Sequence, residues 1–82
     1  MEYTKHFREM LEERSIRLSW VELTLETPDG VEPHDDGTRH FIRRIAENEN
    51  RWLRVVVNVK ACPNRAVTAF FDRRLRRRET TE

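Results

Sequence analysis

Cysteine, glycine and proline are all scarce in this sequence: one, two and three residues among 82. The lone Cys62 excludes an internal disulfide framework and any cysteine-based zinc cage. It leaves the reducing cytosol as the expected compartment. With only Gly30 and Gly37 present, no glycine-rich loop can cradle a phosphate, and both glycines read as turn residues. No apolar run approaches the roughly 18 residues that a membrane span needs, and the charged N-terminus lacks the pattern of a signal peptide. No nucleophile motif of the hydrolase type is present. The length allows one small domain and no second core.

Charge is abundant. Asp, Glu, Lys and Arg make up 38% of the chain and the apolar residues 37%. The net charge of +1 hides an asymmetry. Residues 1–36 carry four basic residues against ten acids, whereas residues 37–82 carry twelve against five. Arginine outnumbers lysine fourteen to two, and its planar fork suits phosphate. A basic half points to a polyanion or to an acidic partner.

The apolar pattern predicts two helices followed by strands. Residues 4–14 place Tyr3, Phe7, Met10 and Leu11 on one side, with Thr4 as N-cap. Ser19 and Glu22 have capping-box spacing, which predicts a second helix ending before Pro28. After Gly30 the period changes to two. Residues 31–35 read as an edge strand because of Pro33, and Asp36-Gly37 as a hairpin turn. Residues 38–46 set Phe41 and Ile45 opposite Ile42 and Arg44. The clearest strand is 52–61, with Leu53, Val55, Val57, Val59 and Ala61 on one face and Trp52, Arg54, Val56, Asn58 and Lys60 on the other. A last strand, 66–72, sets Val67, Ala69 and Phe71 on one side.

The fold expected is therefore α+β, two N-terminal helices on one face of a four-stranded antiparallel meander. The domain spans 1–72, and 73–82 form a basic tail. Its predicted core holds Phe7, Met10, Leu11, Trp20, Val21, Val55, Val57 and Val59. On the second sheet face, Trp52 and Val56 interleave with Arg54, Asn58 and Lys60, as in a binding face or a dimer seam.

Short motifs in this order resemble the bacterial domain-of-unknown-function family 4258. They are His6, Met10, Arg14-Ser15-Ile16, Val21-Glu22, Pro28, Asp36-Gly37, Arg43, Leu53-Arg54-Val55-Val56 and Thr68-Ala69. That family is similar in layout to BrnT- and RelE-type toxins, small metal-independent ribonucleases of toxin–antitoxin pairs. The resemblance implies RNA as a substrate, an antitoxin as a partner and no cofactor. It selects His6 as the proton carrier, with Arg43 and Arg54 stabilising charge on the phosphate. Arg44, Lys60, Arg73, Arg74, Arg76 and Arg77 are the expected RNA contacts.

Two departures stand out. Ser15 takes the place where relatives usually carry Gly, which is tolerable where φ stays negative. Phe70 stands near a Tyr of relatives, so any chemistry needing that phenol is absent. His34, Asp35, Asp36 and His40 match no zinc, calcium or magnesium spacing, so no metal is expected. The rival function is a non-catalytic module whose sheet face makes a homodimer or a partner interface.

Overall fold

The computed structural model describes residues 1–75. Two helices, α1 (Lys5–Glu13) and α2 (Leu18–Glu26), precede strands β1 (Gly30–Pro33), β2 (Thr38–Ile45), β3 (Arg51–Asn58) and β4 (Arg65–Phe71). The strands form one antiparallel sheet in the order β1-β2-β3-β4. Helix α1 packs on β4, and α2 packs on β2 and β3. The two-layer α+β architecture is the one expected.

Helix α1 starts where its cap lies, with Thr4 Oγ1 accepting from the Phe7 amide at 3.1 Å. It stops at Ser15, whose φ of 55° is left-handed. A side chain therefore occupies a position that favours glycine, contrary to the negative φ that would make Ser15 comfortable. Helix α2 begins at Leu18, with Arg17 as N-cap and no side-chain cap bond. Ser19 thus lies inside the first turn and its capping box does not form. Ile16 and Leu18 pack into the core, and that packing sets the start of the helix.

Phe7, Leu11, Ile16, Trp20, Val21, Ile45, Leu53, Val55, Val57, Ala66 and Ala69 form the core, with Met10 and Val59 packed against it. Every residue of the expected core is present. Strand β3 ends at Asn58, earlier than expected, because Asn58 Oδ1 accepts from the Lys60 amide and turns the chain. Strand β4 carries a bulge: Val56 faces Thr68 while Val57 faces Ala66. Val67 is squeezed out and left 48% exposed, so Ala66 replaces it on the buried face.

The β1–β2 hairpin decides which side chains share a face. A two-residue Asp36-Gly37 turn would set Glu32 opposite Phe41. The loop instead has three residues, 35–37, closed by the His34 amide donating to the Thr38 carbonyl at 2.9 Å. Gly37 takes a φ of 86°, the left-handed position of such a loop. The register moves by one, and Glu32 opposes His40.

Candidate functional site

Direct cross-strand partners share a face, so the register sorts the sheet into two sides. Phe41–Val55, Arg43–Leu53 and Val55–Ala69 lie on the helix side. Glu32–His40, Ile42–Arg54, Arg44–Trp52 and Arg54–Phe70 lie on the other, outer side. After β4 the chain bends back. Arg73–Leu75 form a 3-10 turn, and Leu75 is 7% exposed. The folded unit thus extends past the expected boundary at residue 72.

An open cleft of about 410 Å³ lies on the outer side, lined by Glu32, His34, His40, Arg54, Phe70 and Asp72, with Arg74 and Leu75 at its wall. Arg54 is its hub and is only 7% exposed. Its Nε donates to Asp72 Oδ2 at 2.9 Å, and its Nη1 donates to Glu32 Oε1 at 2.9 Å. The same Nη1 lies 3.0 Å from His40 Nδ1. Arginine has no acceptor, so Nδ1 accepts and the imidazole proton of neutral His40 resides on Nε2. The rings of His34 and His40 stack with centroids 3.8 Å apart. His34 Nε2 lies 3.6 Å from Glu32 Oε1. Arg74 reaches Asp72 with both Nε and Nη2 at 3.1 Å.

These contacts set the protonation states. The hydrogen bond from Arg54 holds the Glu32 carboxyl below its usual range, outweighing burial. Asp72 is held low chiefly by the side chain of Arg74, with Arg54 adding to it. Burial lowers His40, and the nearby His34 and Arg54 lower it further, so its imidazole is neutral near pH 7. The cleft therefore combines ionised carboxylates, a neutral imidazole and a fixed guanidinium. Glu32, His34 and His40 also bring three potential metal-ligand atoms within 4.8 Å of one another.

The residues expected from sequence to act together are dispersed. Arg54 stands in the cleft. Arg43 lies on the opposite side of the sheet, where its Nη1 donates to the Thr27 carbonyl at the end of α2. His6 is exposed on α1, on the helix layer. No single substrate phosphate on the outer face can meet all three.

Of the expected RNA contacts, Arg44 lies on the outer side opposite Trp52, and Arg74 lines the cleft. The stem of Lys60 covers Gly37 at the hairpin end, and Arg73 is exposed in the 3-10 turn. Arg76 and Arg77 lie outside the described residues. Four titratable residues of the cleft lie outside the site expected from sequence: Glu32, His34, His40 and Asp72. For the first two a partial signal existed, since Glu32 and His34 are two apart and share one side of an extended segment, but their meeting with His40 depends on the loop length. Asp72 had none, because its partner Arg54 is 18 positions away.

A family model described as "Domain of unknown function (DUF4258)" matches residues 3–71. No curated protein and no solved structure matches the chain. Among the described residues, no helix is long and apolar enough to cross a membrane.

Proposed function

The chain belongs to the DUF4258 family, and because that description names no activity, we propose a function from the site: metal-independent cleavage of RNA in the outer cleft. The observation that carries this proposal is the chain of contacts from His34 through Glu32 to Arg54, at 3.6 and 2.9 Å. It is a proton carrier beside a carboxylate kept ionised by a guanidinium. The helix–helix–meander order, likened above to RelE- and BrnT-type toxins, adds support at the level of layout only.

In this mechanism Glu32 orients the His34 ring. The free ring nitrogen of His34 takes the 2′-hydroxyl proton, and the 2′-oxygen attacks phosphorus. As the bond to the 5′-oxygen breaks, His34 returns the proton to the leaving oxygen. The products are a 2′,3′-cyclic phosphate and a 5′-hydroxyl. Arg54 and Arg74 stabilise the charge that grows on the phosphoryl oxygens. Phe70, at the cleft wall, offers a face on which a base can stack. Arg44, Lys60 and Arg73 hold the flanking phosphates, and an acidic antitoxin-type partner docks on the same cations.

Cleavage of a mixed-sequence RNA, with chelator present, tests the proposal. His34→Ala is expected to lower the rate by about 10²–10⁴, the usual contribution of a positioned acid–base group. His6→Ala is expected to leave it unchanged. One observation favours a second reading, a non-catalytic interaction module: Arg54 is engaged by two carboxylates and almost fully buried, as in a tie between β1, β3 and the C-terminal turn. Wild-type protein inert toward free RNA and toward ribosomes would establish that module, acting as a homodimer or on a protein partner.

A further inference from the structure

We propose that Glu32, His34 and His40 form a binding site for one divalent transition-metal ion of the zinc class. The three residues each offer one ligand atom, and these atoms lie within 4.8 Å of one another. Zinc bonds to imidazole nitrogen at about 2.1 Å, which puts tetrahedral donors roughly 3.4 Å apart. A closure of little more than an ångström by half-exposed side chains completes the set. His34 and Glu32 have that freedom, with side chains 41% and 42% exposed.

The donor chemistry selects the ion. Two imidazoles and one carboxylate suit zinc and its neighbours, whereas magnesium and calcium require oxygen donors throughout. Three protein ligands leave a coordination position open to water or an anion. The scaffold is also fixed. Glu32 and His40 are direct partners on β1 and β2, and His34 closes the three-residue loop through its backbone. Asp36 lies close enough to both imidazoles to act on them electrostatically, adding negative charge at the mouth of the site.

Arg54 is the element that a metal must contend with. Its Nη1 fixes the Glu32 carboxylate, a role that outer-sphere groups fill at metal sites. It also occupies the lone pair of His40 Nδ1, and a neutral imidazole has only one. A metal bound to His40 therefore takes that lone pair and moves the guanidinium off the ring. Asp72 makes this feasible, because it retains Arg54 through Nε at 2.9 Å. Arg54 and the metal thus exchange places at His40, while the rest of the network stays intact.

An ion on His34 Nε2, the nitrogen that faces Glu32, leaves the ring proton on Nδ1 and so removes the lone pair that the proposed RNA reaction needs; the metal-loaded form is the inactive one. That consequence rests on the RNA proposal; the metal site itself does not. Calorimetric titration of the full chain with zinc chloride, without RNA, tests the site. One ion per chain is expected, and cobalt is expected to give the absorption bands of a low-coordinate nitrogen–oxygen site. His34→Ala and His40→Ala should each weaken zinc by more than about tenfold, while Cys62→Ser and His6→Ala leave it unchanged. His34 is exposed, so His34→Ala should melt like the wild type, which separates lost ligation from lost fold. Absent binding at millimolar zinc, or equal affinity in wild type and His34→Ala, would overturn the site. Zinc binding by a chain that cleaves no RNA even when metal-free would leave the metal site standing and remove the RNA proposal.

Discussion

Asp72 and Arg54 form an ion pair with a 2.9 Å separation in which both side chains are almost wholly buried, at 3% and 8% exposure. The pair joins the centre of β3 to the residue that follows β4, where the chain turns back over the outer face. Removing one partner of a buried pair leaves the other charge without compensation. Asp72→Asn is therefore expected to cost about 3 kcal/mol, at the low end for such pairs because Glu32 still holds Arg54. Urea denaturation measures it, and a loss below about 0.5 kcal/mol would show that the pair adds nothing.

Acid should act through the same residue. The folded-state pKa of Asp72 lies below its ordinary value of 3.8. Its ionised form therefore stabilises the fold above the unfolded value, and this contribution is lost as pH falls through the folded one. Wild-type stability should drop more steeply below about pH 4 than that of Asp72→Asn. Parallel pH–stability curves for the two proteins would contradict this.

Leu75 tests the docking of the C-terminal turn. It is 7% exposed in the 3-10 turn after β4. Leu75→Ala should cost about 2 kcal/mol, as for a buried leucine at the edge of a core. A change within about 0.5 kcal/mol, the range of surface substitutions, would mean that the turn does not pack on the sheet.

Ser15 offers the opposite sign. Its left-handed backbone, φ 55°, is one that glycine adopts without strain. Ser15→Gly is expected to stabilise by about 0.5–1 kcal/mol, the relief of left-handed strain less the added entropy of the unfolded chain. Thermal denaturation reads the effect, and a lowered melting temperature would contradict it.

The parts of the fold written in local periodicity were legible in the sequence. Thr4 and the Phe7–Leu11 spacing gave α1, and Leu53, Val55 and Val57 gave the buried face of β3. Arg43 was legible too, since the alternation that sets Phe41 and Ile45 inward also sets Arg43 inward. Features that depend on a single-residue count were not. The three-residue loop that sets Glu32 against His40, and the bulge that expels Val67, each turn on one position of register. The cleft was illegible for a further reason: its hub joins β1, β3 and the C-terminal turn, and only the folded sheet brings them together. The basic charge of the second half drew attention to unpaired cations, whereas Arg54 and Arg74 are paired with Asp72.

The most direct test of the outer cleft as the functional site is an NMR titration of the isotopically labelled chain with a short single-stranded RNA in low salt. Chemical-shift changes are expected to concentrate at Glu32, His34, His40, Arg54 Nε and Phe70, with α1 and His6 unmoved. Changes centred on His6 and α1, or no changes at millimolar RNA, would contradict this.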